Sequence, residues 1–190
     1  MADELLTIVR SVSRLAALQR LHLLDTPPEA SLDRLTRIAC RLLRAPIGLV
    51  SLVDRDRQFF KSCVGLPEPL ASERQTPISH SFCKHVVASG KPLVVEDARA
   101  NPLVQLNPAI ALMGIAAYAG IPLTTSDGQV IGSFCVIDSR PRAWTYEDVE
   151  ALQELAACVM HELEGRKLLR ESEARCRQLE TKLREVEPRP

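Results

Sequence analysis

The chain has 190 residues, of which 46% are hydrophobic, and its 24 basic residues balance 24 acidic ones. A chain of this length and composition can bury one substantial core with a helical extension besides. A formal charge of zero, without a concentrated basic segment, argues against nucleic acid and anionic membranes as partners. We therefore expect one globular domain that binds neither.

The N-terminus, MADELLTIVRSVSRL, carries acidic residues at once and has no apolar run of signal-peptide length. No other stretch approaches the roughly 20 apolar residues of a membrane span. We therefore expect a cytoplasmic protein. In that compartment the six cysteines should be mostly reduced, and none has the CxxC spacing of zinc sites, so no metal site is predicted.

The N-terminal third is predicted to be helical. Apolar residues at helical spacing indicate one amphipathic helix over residues 1–24. The DTPPEAS segment at 25–31 ends this helix, because its two prolines hold the chain extended. A second helix is predicted from Leu32 to Leu43, before Pro46.

The middle of the chain has the composition of strands. PIGLVSLVD and RQFFKSCVG, joined by the polar turn DRD, predict an antiparallel hairpin, and AAYAGIPLTT and VIGSFCVID predict a second around SDGQ. Between them, SHSFCKHVV predicts a short inner helix, KPLVVEDAR a strand and NPLVQLNPAIALMG a loose helical crossover. The predicted fold class is α+β, a central antiparallel sheet flanked by helices, with long helices at both termini.

The C-terminal segment, residues 145–187, is predicted to be one long helix. Thr145 is a plausible N-cap, and Asp148 completes a capping box. Two stripes of positions spaced three and four apart meet near Gly165 in different registers. The upstream stripe, Val149 to Leu163, should pack on its own domain.

The downstream stripe has coiled-coil spacing, and an unusually large share of the residues around it in the sequence are charged. Its members are Leu169, Ser172, Cys176, Leu179, Leu183 and Val186. The domain has already ended at this point, so the stripe is predicted to be the seam of a parallel homodimer.

Six segments occur in order over about residues 14–160: RLHLLDTPPE, IGLVSLVDRDRQFFKSCVGL, SFCKHVV, PLVVEDARANP, YAGIPL and GSFCVID. Taken together, they resemble the GAF domain family, the small ligand-binding sensor modules of bacterial signalling proteins. The resemblance implies a sensor domain over residues 25–144, with the terminal helices on one face of the sheet. It implies a ligand pocket on the other face, roofed by the inner helix and the crossover.

The resemblance also implies a set of ligand-contacting residues around that pocket. They are Phe60, Phe82, Cys83, Val86, Met113, Tyr118, Phe134 and Cys135. Tyr118 is favoured among them because it offers a hydroxyl group. Each could instead be core, which is the expectation for Phe82 and Phe134.

The family's specialised ligands fit this sequence poorly. The residues that mark cyclic-nucleotide-binding members have no counterpart in order, and bilin-binding members have a cysteine followed directly by histidine, where Lys84 here intervenes before His85. The cysteine pattern of members that reduce free methionine sulfoxide is also missing. The ligand or cofactor is therefore left unknown.

Cys83 and His85 are the most conspicuous candidates for chemistry. Two positions apart on a helix, they lie about 200° around the axis, so they point to opposite faces and cannot easily bind one metal. Cys83 is predicted to be pocket wall or core, and His85 a partly exposed polar residue. Cys63, Cys83 and Cys135 could still act as redox thiols if two of them come within about 6 Å between Cα atoms.

The sequence contains no phosphate-binding glycine loop, nucleophile elbow or carboxylate pair of defined spacing, so an enzyme is not predicted. We expect a small-molecule sensor that dimerises through its terminal helices. It would relay pocket occupancy to an output domain in the same or a partner chain, namely a cyclic-dinucleotide synthase, a histidine kinase or a PAS domain. The alternatives are a cysteine-based redox switch and a structural dimerisation module without a ligand.

Overall fold

The computed structural model describes residues 2–186, and the side chains of residues 4–170, 172–179 and 181. Within this part the helices are α1 (Ala2–Val9), α2 (Val12–Arg20), α3 (Ala30–Leu42), α4 (Leu70–Glu73), α5 (Cys83–Ser89), α6 (Ala109–Met113) and α7 (Tyr146–Val186). The strands are β1 (Ile47–Val53), β2 (Arg57–Val64), β3 (Gln75–Pro77), β4 (Leu93–Val95), β5 (Ala117–Thr124) and β6 (Val130–Asp138).

The strands form one sheet in the order β3-β2-β1-β6-β5-β4, and every neighbouring pair is antiparallel. The predicted fold class is therefore confirmed, as are both predicted hairpins and α3. The short elements α4 and β3 were not predicted from the sequence. They place three residues at the edge of the sheet beside β2.

Alternate residues of the strands face opposite sides of the sheet, so the protein has two hydrophobic cores. The helical core lies under α2, α3 and α7 and includes Val50 and Phe134. The inner core lies under α5 and α6 and includes Leu49 and Tyr118. Helices α2, α3 and α7 thus cover one face of the sheet, and the inner helix α5 and the crossover helix α6 cover the other.

The prediction of one N-terminal helix is wrong, because α1 and α2 are separate helices. Arg14 is buried at the corner between them and donates hydrogen bonds to the carbonyl of Val9 (2.6 Å) and to that of Val53 on β1 (2.7 Å). These bonds fix the bend. As a result α1 packs against α5 on the inner-core side, whereas α2 lies on the opposite face of the sheet, so the terminal helices do not all share one face.

Helix α7 begins as predicted. The backbone N–H of Asp148 donates to Thr145 Oγ1, and the backbone N–H of Thr145 donates to Asp148 Oδ2, both at 3.1 Å, which completes a capping box. The helix continues without interruption through Gly165 to Val186. The predicted end at Glu187 and the side chains of Leu183 and Val186 lie outside the described residues. No helix of the described chain combines the length and apolarity needed to cross a membrane.

Candidate functional site

Helix α5 separates two regions that could hold a ligand. Its inward face carries Cys83, Val86 and Val87, which are buried against the sheet. Its outward face carries Lys84 and His85, which line a cavity on the far side of the helix. The predicted opposition of Cys83 and His85 is therefore correct.

The space predicted as the ligand pocket lies between α5 and the sheet, within the inner core. Five of the eight predicted contacts line it: Phe82, Cys83, Met113, Tyr118 and Cys135. The open volume that remains among them is only about 10 Å³. This volume holds at most about one water molecule, so the protein's own side chains fill the predicted pocket.

Tyr118 has the largest side chain in this space. It is fully buried, and its ring lies 5.4 Å from the ring of Phe82. The side chain folds back over Gly120, two residues along β5, where a Cβ atom would stand 2.2 Å from the Tyr118 hydroxyl oxygen. Only glycine at position 120 permits this conformation, so the sequence of β5 itself allows the tyrosine to occupy the pocket.

The polar atoms of the inner core are paired with one another. The Tyr118 hydroxyl donates to Cys83 Sγ at 3.3 Å and lies 3.2 Å from Ser133 Oγ. Nearby, Gln58 accepts a hydrogen bond from Ser81 at 2.7 Å and donates to Thr76 at 2.7 Å. A ligand entering this space would have to replace these bonds.

Two of the three predicted redox thiols meet in the inner core. Cys83 Sγ lies 3.9 Å from Cys135 Sγ. This hydrogen bond is the largest cause that lowers the pKa of Cys83, to about 7, and the hydrogen bond from Tyr118 adds to it against the cost of burial. The same contact with Cys83, together with burial, raises the pKa of Cys135.

Cys63 does not join this pair. Leu49 on β1 pairs with Cys63 on one side and with Cys135 on the other, so the two cysteines are two strand spacings apart. That separation is about 10 Å, which exceeds the Cα distance that a disulfide can span.

The remaining predicted contacts do not line the pocket. Phe60 and Val86 are packed within the inner core, away from the residual space. Phe134 does not line the pocket, as its alternative expectation as a core residue allowed. It points into the helical core, because it follows Ser133 and precedes Cys135 on a strand whose successive side chains alternate.

A larger cavity of about 420 Å³ lies on the outer side of α5. We call it the outer cavity; it is lined by Leu5 and Leu6 of α1, by Ile78, Ser79, Lys84 and His85, and by Pro102, Leu103, Leu106, Asn107 and Pro108 of the crossover. The sequence did not indicate this cavity, because it is assembled from three segments that lie far apart in the chain. Within it Leu5 and Leu6 are half-buried, whereas Leu103 and Leu106 of the crossover are exposed.

No group of three or more histidine, cysteine, aspartate or glutamate side chains among the described residues is arranged to hold a metal ion. The candidate site therefore consists of the filled inner core and the open outer cavity, separated by one helix.

The sequence profile of the GAF domain matches residues 27–163. The chain belongs to the GAF domain family. This GAF domain is also 36% identical over 155 residues to a cyclic di-GMP phosphodiesterase of Pseudomonas aeruginosa, in an alignment that covers 78% of this chain and 25% of the relative. The chain thus spans about a quarter of the length of that curated relative.

Two solved structures resemble this GAF domain in fold. The blue-light-absorbing form of the PixJ GAF domain of Thermosynechococcus elongatus superposes with a TM-score of 0.62 at 18% identity, over 88% of this chain and 97% of that one. The free methionine-R-sulfoxide reductase of Neisseria meningitidis, in complex with its substrate, gives a TM-score of 0.58 at 20% identity, over 80% and 86%. At these identities the likeness concerns the fold alone.

Proposed function

We propose that this GAF domain is the sensory module of a signalling protein and that α7 carries its signal to an output domain. One observation carries the proposal, a change of burial along α7. Leu152, Val159 and Leu163 are buried in the helical core. Beyond Gly165 the helix passes out of the helical core, and Leu168, Leu169 and Leu179 are 58–64% exposed.

The exposed part of α7 has the pattern of a dimer seam. Leu169, Cys176 and Leu179 fall on one stripe with the three-and-four spacing of a coiled coil. Nothing else in the described chain covers this stripe, and an apolar stripe so narrow is best buried against the same stripe of a second copy. We therefore propose a parallel homodimer along the second half of α7.

A cluster of ion pairs ties α7 to the sheet where the helix leaves the domain. Arg166 pairs with Glu29, and Glu29 also pairs with the buried Lys61 of β2 at 2.6 Å. Arg166 makes a further pair with Glu162, one turn earlier, at 2.8 Å. The pair of Glu29 with Lys61 is buried, so the cluster joins α7 to β2 near Gly165, where the sequence pattern of the helix changes register.

The relative with cyclic di-GMP phosphodiesterase activity in its name supports a place in cyclic-dinucleotide signalling. The proposed output is accordingly a cyclic-dinucleotide enzyme, with a histidine kinase or a PAS domain as the other expected types. In this proposal the GAF domain is cytoplasmic, and it regulates without catalysing a reaction itself. Ligand binding would shift α7 between two arrangements of its seam.

The test uses the protein's own cysteines. Cys176 lies on the proposed seam, whereas Cys158 is exposed on α7 but lies off it. A short bis-maleimide should crosslink the wild-type chain into a dimer, and Cys158→Ser should crosslink equally well. Cys176→Ser should lose the product. A chain that light scattering shows to be monomeric at high concentration, and that gives no Cys176 crosslink, would contradict the proposal.

A second candidate function, a dithiol switch, is favoured by the 3.9 Å contact between Cys83 and Cys135. A peroxide would accept two electrons, and both thiols would lose their protons as the S–S bond formed. Hydrogen peroxide would leave as two molecules of water, and an alkyl hydroperoxide as one molecule of water and one of alcohol. Non-reducing mass spectrometry after peroxide treatment tests it. A loss of about two mass units, absent in Cys135→Ala, supports the switch; six unmodified thiols exclude it.

A further inference from the structure

The outer cavity has an apolar body. Its walls are mostly leucine and proline side chains from α1 and the crossover. Leu103 and Leu106 are 53% and 92% exposed, so a bound apolar molecule would remove their side chains from water. The volume of about 420 Å³ lies within the range of small-molecule sites in proteins.

The lining of the outer cavity includes a cation that has no ion-pair partner among the described residues. Lys84 Nζ donates a 3.3 Å hydrogen bond to the carbonyl of Ser79. None of the ion pairs among the described residues involves Lys84, and an ammonium group has three protons to donate. Lys84 is half-buried, and this burial lowers the pKa of its ammonium group.

The neighbouring His85 adds a neutral polar group. Burial, with a smaller contribution from Lys84, lowers the pKa of His85 to about 4, so the imidazole is uncharged at neutral pH. A neutral imidazole offers one donor and one acceptor, and no hydrogen bond within the described residues uses the His85 ring. By contrast, the amide of Asn107 is already paired with the backbone of Ser81 and Ala109.

The ammonium group, the neutral imidazole and the apolar walls of the outer cavity together favour one chemical class of ligand. A cationic head would be repelled by Lys84, and a neutral molecule would leave the ammonium protons without a partner. A carboxylate would accept hydrogen bonds from Lys84 and from the His85 ring, and such charge-assisted bonds are strong in a partly desolvated site. An apolar tail would then lie against the leucines.

We propose that the outer cavity is a binding site for an amphipathic carboxylate, with its head at Lys84 and His85 and its apolar body against Leu103, Leu106 and the leucines of α1. Ligand binding at this site does not depend on the proposed sensory function. Only the effect of binding on signalling rests on that function. Because Leu5 and Leu6 form one wall, occupancy would hold α1 against α5. The ligand that starts the signal would thus bind outside the filled inner core.

The experiment is isothermal titration of the whole chain at neutral pH with three probes of equal chain length: decanoate, decanol and decyltrimethylammonium. We expect saturable binding of one decanoate per chain, at least tenfold tighter than that of the alcohol or the cation. Absence of saturable decanoate binding, or equal binding of decanol, would overturn the proposal.

Variants locate the binding. Lys84→Met keeps the apolar stem and should weaken decanoate binding at least tenfold, while leaving the affinity for decanol unchanged. Lys91→Met removes an exposed lysine just beyond α5 and should have no effect. Leu106→Ser should weaken both probes several-fold. Unchanged decanoate affinity in Lys84→Met would overturn the proposal even if wild type binds.

The result of the decanoate titration can be distinguished from the result of the crosslinking test of the proposed function. Crosslinking through Cys176 tests the dimer without any ligand, and decanoate titration tests the cavity without reference to α7. A chain that dimerises but does not bind decanoate selectively would retain the sensory proposal and lose this one.

Discussion

The inner core and the outer cavity lie on the two faces of the same short helix, α5, yet they differ in open volume and in the polar groups that they offer to a ligand. The inner core has about 10 Å³ of open space, and its polar atoms bond to one another. The outer cavity is about forty times larger, and the described contacts leave protons of Lys84 and both nitrogens of His85 available.

The elements that surround a family's ligand pocket can therefore be present in a protein although the pocket has no room for a ligand. Here one tyrosine and one glycine on β5 close the inner space. A ligand could use that space only if Tyr118 left it, whereas the outer cavity can be occupied without rearranging the core.

Tyr118→Ala should have the largest effect, because it removes a fully buried aromatic side chain from the inner core. We expect the free energy of unfolding to fall by about 3–5 kcal/mol. Urea denaturation measures the change. Tyr146→Ala is the matched control, since Tyr146 is 76% exposed at the start of α7, and it should change stability by less than about 0.5 kcal/mol. Similar losses in both variants would refute a filled inner core.

Gly120→Ala should destabilise the protein by about 1–3 kcal/mol, because the new methyl group and the Tyr118 hydroxyl cannot share the same space. Thermal and urea unfolding measure the loss. Gly165→Ala, where no atom lies within 4 Å of the added Cβ, is the control and should stabilise α7 by up to about 1 kcal/mol. If Gly120→Ala is neutral, Tyr118 has another conformation available, and the inner pocket can open.

The sequence predicted the architecture well, because hydrophobic period and turn residues are local signals. The two hairpins, α3 and the capping box of α7 all follow from such signals. The bend between α1 and α2 does not, since it depends on a hydrogen bond from Arg14 to Val53, 39 positions away. The outer cavity is hidden for the same reason.

Some of the site could have been predicted better. Phe134 and Cys135 are consecutive on one strand, so they could never both have faced the pocket. The spacing of Tyr118 and Gly120 is itself a signal that the tyrosine can lie flat on its strand. Whether it does so depends on contacts with Phe82 and Ser133 from other elements, and local sequence does not encode those.

Tyr118→Phe isolates the polar part of the inner core, because the ring stays and only the hydroxyl is lost. Ser133 and Cys83 then lose a shared partner, and we expect a loss of about 1 kcal/mol in urea denaturation. Ser133→Ala should cost a similar amount, and the double variant less than the sum of the two. Strict additivity would show that the two hydroxyl groups do not interact.

The smallest effect is expected in the outer cavity. Leu103→Ser with Leu106→Ser should change the free energy of unfolding by less than about 0.5 kcal/mol, because both side chains already contact water. Val86→Ala, on the inward face of α5, is the matched comparison and should cost more than about 1 kcal/mol. A large loss in the serine variant would mean that the crossover leucines belong to the core. If the double serine variant is as stable as the wild type, any loss of decanoate affinity in it results from lost contact with the ligand, because the two proteins fold equally well.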